Sequence, residues 1–222
     1  SFPNGIGLIG SVTYAGQAMT LAIKVDNAQG AYREAAVGIY YLDNPSQYGE
    51  AGDIVLDTSV GGIWNSMGAS IMSLVGTAPG VDATSSALVI VPSTAESVSV
   101  VTKTEYNVVV AATQNGTGNT GVQPFAQPPM TQVLSYRKTP ANYWTAGGSG
   151  YQFVKALANA TSTFTNTTTT AATTIAASFG VAIPTLSWDI DGATPGAGGA
   201  TPAGNWDATT PNWNANYLGT GD

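Results

Sequence analysis

From Ser11 to Leu42 apolar side chains return at every second position, and that period confines the chain to antiparallel sheet. Val12, Tyr14, Met19, Leu21, Ile23 and Val25 carry the alternation, with a break at Ala15-Gly16. Successive side chains of a strand point to opposite faces, so this spacing reads as two strands joined by a tight turn. The partner run, Tyr32 to Leu42, alternates more loosely and stops at Asp43-Asn44-Pro45, where proline has no N–H to give to a ladder. Three strands within the first fifth of the chain set the class as all-β.

The rest of the sequence continues the theme. Gly52 to Thr58 is the next strand. Met67 to Val75 reads as a strand packed on one face, with a short helix as the alternative. ALVIV from Ala87, SVSVV from Ser97 and EYNVVVAAT from Glu105 are β-branched runs separated by Pro, Ser or Glu-Ser, and they read as separate strands. Gln114 to Pro129 holds the glycines and prolines of a long loop. Met130 to Tyr136 and Gly150 to Leu157 alternate again. Thr161 to Phe179 is a threonine tract whose branched side chains favour extended backbone, with Phe164, Ile175 and Phe179 to bury; it is expected to form one or two strands. The expected architecture is an antiparallel β-sandwich over residues 1–184, followed by an extended Gly/Pro/Trp-rich tail over residues 185–222. Trp188, Trp206, Trp213 and Tyr217 are its anchors.

Composition narrows function by exclusion. The chain has 222 residues, 43% of them hydrophobic, which is enough for one sizeable core. Only 9% are charged, against about 25% in ordinary soluble domains, and the net charge is −7. No Lys or Arg follows Lys155, whereas Asp189, Asp191, Asp207 and Asp222 lie near the C-terminus. Such a surface does not suit phosphate backbones or anionic lipid, so neither nucleic acid nor membrane insertion is expected. Histidine and cysteine are both absent, which removes the usual neutral-pH base, thiolate chemistry and the commonest transition-metal ligands. No cofactor, no metal and no catalytic residue are expected. A start at Ser1, with neither a basic nor a long apolar run before the first strand, is expected of a mature exported product.

The order and spacing of SVTYAGQAMTLA, YREAAVGIYYLDNP, GDIVLDTSVGG and MGASIMSLVGTAPG resemble a family of bacterial secreted, jelly-roll-like β-sandwich domains of surface and cell-wall-associated proteins. EYNVVVAATQNGTG looks like a late core strand of that family, and TTTTAATTIAASFG sits where its final strand falls. The tail, LSWD followed by PGAGGATPAGNWDATTPNWN, resembles the opening of an autotransporter-associated β-strand repeat. These resemblances imply export and a fold but carry no catalytic residue. In the sandwich family one or two strands precede the segment matching Ser11, whereas here ten glycine-rich residues do. The implied gap would be filled by the tail or by a segment of a neighbouring copy. Head-to-tail filling builds an open filament.

The function expected is therefore an extracellular structural subunit that polymerises with itself by strand complementation and tail docking. A carbohydrate-binding or adhesive module is the rival reading, with Trp64, Tyr143, Trp144 and Tyr151 as sugar-facing aromatics. A hydrolase built on Asp43, Glu50, Asp53 and Asp57 is the second rival. Asp189-Ile190-Asp191-Gly192 starts like a calcium loop but lacks the remaining ligands, so it reads as a turn. Arg137-Lys138 reads as an isolated surface pair. Asn115, Asn159 and Asn166 fit the acceptor pattern for N-glycosylation, which would make glycans a further partner.

Overall fold

In the computed structural model, residues 9–27, 35–43, 52–57, 68–117, 122–138, 144–182, 187–188 and 213–214 are described. All the regular elements among them are strands. In chain order these are β1 (Val12–Tyr14), β2 (Gln17–Ala18), β3 (Thr20–Asn27), β4 (Ala35–Tyr41), β5 (Ile54–Leu56), β6 (Ala83–Val101) and β7 (Asn107–Thr117). They continue with β8 (Pro124–Ala126), β9 (Thr131–Lys138), β10 (Trp144–Val154), β11 (Asn159–Gly180), β12 (Ser187–Trp188) and β13 (Trp213–Asn214). Every described pairing is antiparallel. The chain divides into two compact units, Ser1–Val181 and Ala182–Asp222.

The turn at Ala15-Gly16 is as tight as its sequence suggests. Both residues take positive φ, 48° and 78°, and Thr13 faces Ala18 across a two-residue loop. Positive φ at both central positions matches the twist of the flanking strands. Met19 then interrupts the ladder, so β2 stays with β1 and β5 while β3 leaves to pair with β4.

The body of the first unit is one sheet with the order β6-β11-β7-β10-β9, with β8 added alongside β11. Its organiser is β11, the threonine tract, which runs unbroken for 22 residues. It pairs along its whole length with β6, in its C-terminal half with β7, and at Phe164–Asn166 with β8. The ladder with β6 slips twice, between Thr165 and Thr170 and between Thr170 and Ala172. Slips of this kind bend a strand and strengthen its twist. The bend is large, because Ala160, Phe164 and Ala176 of this one strand belong to a single buried cluster with Val98, Val100, Val109, Ala111 and Met130. The sixteen steps of extended chain from 160 to 176 would span about 50 Å if straight. The β6–β11 ribbon is thus folded over, its two halves supplying the two layers of the sandwich. Gln152 of β10 fastens them, donating from Nε2 to the Thr161 carbonyl and to Ser162 Oγ, both at 3.0 Å.

The outer face of the same sheet is covered by β3 and β4. Val37 and Ile39 pack with Val108, Val110, Ile175, Ala177 and Phe179, and the Tyr41 ring meets Phe179 edge-on with centroids 5.8 Å apart. Strands β7 and β11 are therefore buried on both faces, which explains their near-continuous Val/Ala/Thr composition.

Three sequence expectations are corrected. ALVIV and SVSVV are one strand, since β6 continues through Pro92; proline is tolerated because β6 is an edge strand and the ladder slips there. The loop expected from Gln114 is shorter, because β7 continues to Thr117 and Pro124–Ala126 forms β8. Over its described residues 68–75, the segment MGASIMSLV is neither strand nor helix. It lies along the outer face, packing Met72 and Leu74 into that core, with Ser70 Oγ 2.7 Å from Ser149 Oγ.

Candidate functional site: a buried carboxylate among hydroxyls and amides

Among the described residues, the most unusual chemistry lies inside the fold, where the two layers meet near the bend. On β6 the even-numbered residues Glu96, Val98 and Val100 point inward, while Ser97, Ser99 and Val101 face out. Period two therefore carries Glu96 to the core side, where it is 1% exposed. It is the only charged residue between Asp82 and Lys103.

Strands β7 and β11 supply its partners. Thr113 and Thr174 stand directly opposite each other in the ladder, and Asn115 faces Ala172. Thr113 Oγ1 donates to Glu96 Oε2 at 2.5 Å and Thr174 Oγ1 donates to the same oxygen at 3.1 Å. The two hydroxyl oxygens are 3.1 Å apart. From the bend, Asn166 Nδ2 donates to Glu96 Oε1, and Asn115 Nδ2 donates to Asn166 Oδ1 at 2.7 Å. Every one of these side chains is buried. The groups that bond Glu96 are all neutral.

A carboxylate taken out of water without a cation is held chiefly by hydrogen bonds. Burial pushes the Glu96 carboxyl above its ordinary value of 4.5, and the bonds from Thr113, Asn166 and Thr174 only partly offset that rise. The result is a stronger base than an exposed carboxylate, gripping two hydroxyls with one oxygen and an amide with the other. Two buried polar atoms nearby, Asn115 Oδ1 and Thr173 Oγ1, have no hydrogen-bond partner among the described residues.

Two of the three expected glycan acceptors are thereby corrected. Asn115 and Asn166 are 0% and 8% exposed, and both side-chain nitrogens are committed inside the cluster, so an oligosaccharide on either has no space in this fold. Asn159, the first residue of β11, is exposed. Among the expected anchors, Trp188 pairs with Trp213 in the two-residue ladder of β12 and β13 within the second unit; Trp206 and Tyr217 lie outside the described residues.

Among the described residues, the carboxylates considered for hydrolysis have separate partners. Asp43 accepts the Gly80 N–H at 3.0 and 3.2 Å. Asp53 and Asp57 flank β5, where their backbone carbonyls accept from Ala15 and Gly10. Glu50 is outside the described residues, as are Asp189, Asp191, Trp64 and Tyr143. Trp144 opens β10. Tyr151 is half-buried, packing against the outer core and meeting Phe153 edge-on at 5.6 Å. Among the described residues no group of three metal-ligating side chains occurs, and no helix is long and apolar enough to cross a membrane.

The sequence signal for this site was present in the alternation of β6, which puts Glu96 in phase with Val98 and Val100. Thr113, Thr174, Asn115 and Asn166 carried no such signal, because their meeting depends on the bend in β11. Comparison of the chain with protein-family models, with curated proteins and with solved structures finds no match.

Proposed function

We propose that the chain is a structural subunit of an extracellular filament or matrix, joined to further copies by strand addition and by docking of its tryptophan-rich tail. The observation that carries this reading is strand β6. It runs for 19 residues at one end of the sheet order, and among the described residues its ladder partner is β11 alone. A long edge with free backbone groups is a template for another strand, and folds that stay monomeric usually blunt such edges with charge. In β6 the proline, the ladder slips and the inward carboxylate of Glu96 interrupt the edge only around its middle, and Leu88, Val91 and Val101 are 43%, 80% and 64% exposed. The low charge of the whole chain agrees with dense packing. Jelly-roll ancestry and export belong to the same proposal, resting on the sequence resemblances.

Electron microscopy of the purified native protein, with sedimentation over a wide dilution range, tests it. Regular fibres, or mass that grows with concentration, support the proposal. A monomer at every concentration, showing no fibres, overturns it. Val91→Lys and Leu88→Lys are expected to suppress assembly while leaving the fold intact, because charges on an edge oppose strand addition.

A further inference from the structure

We infer that Thr113 and Asn166 are the two halves of an internal ester cross-link, formed autocatalytically with Glu96 as the proton carrier. The cluster contains each group such a reaction requires, in hydrogen-bonded sequence. The nucleophile is the Thr113 hydroxyl, which donates its proton to Glu96 Oε2 across 2.5 Å. The electrophile is the side-chain carbonyl carbon of Asn166, whose oxygen is polarised by the Asn115 Nδ2–H at 2.7 Å. The leaving group is Asn166 Nδ2, already hydrogen-bonded to the other oxygen of the same carboxylate. A base for the attacking hydroxyl, a donor for the developing oxyanion and a proton source for the departing nitrogen are the three elements of acyl transfer.

The step balances without any other reactant. Thr113 Oγ1 bonds to the Asn166 carbonyl carbon as its proton passes to Glu96, and the carbonyl oxygen takes up negative charge against Asn115. The tetrahedral nitrogen, no longer conjugated, then takes that proton from Glu96. The C–N bond breaks, ammonia leaves, and Glu96 returns to its starting state. Attack needs the reacting atoms at about 3–3.5 Å, so Thr113 and Asn166 must turn toward each other from the two oxygens of the carboxylate they share. The surroundings favour the forward direction, because the reacting residues are all buried and the ester is shielded from water. Burial also keeps Glu96 basic enough to take a hydroxyl proton. Competing exchange with thiols is absent, since the chain has no cysteine. The bond would tie β7 to the bend of β11, in the manner of a disulfide, and it forms within one copy whether or not copies assemble.

Intact-mass measurement of the folded protein tests this directly, with the expected mass lower by one ammonia than the sequence demands. Tryptic mapping locates the loss. Lysine and arginine positions place Thr113 in the peptide 104–137 and Asn166 in the peptide 156–222, so the cross-link yields one branched species containing both. Mild alkaline hydrolysis should separate that species into its two peptides. Thr113→Ser should keep the ammonia loss, whereas Thr113→Val should abolish it. Glu96→Gln should abolish it too, with the Thr113 variants still deciding the matter if Glu96→Gln does not fold. Full sequence mass in the folded wild-type protein overturns the inference. So does an ammonia loss confined to the peptide 156–222, which would be a cyclic imide at Asn166.

Discussion

Two parts of the interior lie on the same three strands and are equally dry, yet they are built from opposite materials. Around Phe164, Val98, Val100, Val109 and Ala176 the space between the layers is filled chiefly by apolar groups, with the bonded pair Gln152 and Ser162 among them. Nearer the bend, Glu96, Thr113, Asn115, Asn166 and Thr174 fill it with polar ones. The first region obtains cohesion from volume and area, which are non-directional and tolerate a change of shape that conserves size. The second depends on specific donors meeting specific acceptors, so it contributes little net stability while complete and costs heavily when one member is removed. Placing such a network at the point where β11 bends gives that bend a unique geometry, which an apolar filling would leave to packing alone.

The sharpest way to test the contrast starts with Phe164→Ala. That ring is 0% exposed, and its loss should cost about 3–5 kcal/mol in denaturant unfolding. A cost below about 1 kcal/mol would show that the apolar region is not packed as described. Glu96→Ala comes next, at about 2–3 kcal/mol, because it strands the donors of Thr113, Thr174 and Asn166 in a dry interior.

Glu96→Gln separates charge from shape. The carboxyl has a raised pKa in the folded state, so folding takes up protons, and its contribution is fully present below the ordinary value of 4.5 and is lost as pH rises through the folded value. Wild-type stability should therefore decline from about pH 4.5 upward, whereas Glu96→Gln should lack that part of the slope. An identical pH dependence in the two proteins would place the titration elsewhere.

The smallest effect uses adjacent residues. Thr173 Oγ1 is buried without a hydrogen-bond partner among the described residues, whereas Thr174 Oγ1 bonds Glu96 and Thr113. Thr174→Val should destabilise by about 1 kcal/mol, while the isosteric Thr173→Val should be neutral or slightly stabilising. Equal effects at the two sites would remove the distinction between satisfied and unsatisfied hydroxyls.

What the sequence disclosed of this arrangement follows from locality. The positive-φ turn at Ala15-Gly16, the β4 ending near Asp43 and the extended threonine tract each depend on a few neighbouring residues, and all were readable. Pro92 misled because its effect depends on whether β6 lies at an edge, a property of the whole sheet. The segment at 68–75 misled because alternation reports which face is buried but not whether a neighbour offers hydrogen bonds. Asn115 and Asn166 matched an acceptor pattern that contains no information on burial. Glu96 was in phase with the valines of its strand, but the residues that meet it come from sequence positions 17 to 78 away, and no short window connects them.

The pairing of β6 with β11 also dictates a timetable. Val101 waits for Asn159, and Ala83 waits for Ser178, so the ribosome must deliver most of the chain before the first long strand has anything to bond. Connections spanning that much sequence close slowly. Throughout the interval a nascent β6 exposes both its edges. Synthesis rate and chaperone access should therefore govern the yield of this protein more strongly than its final stability does.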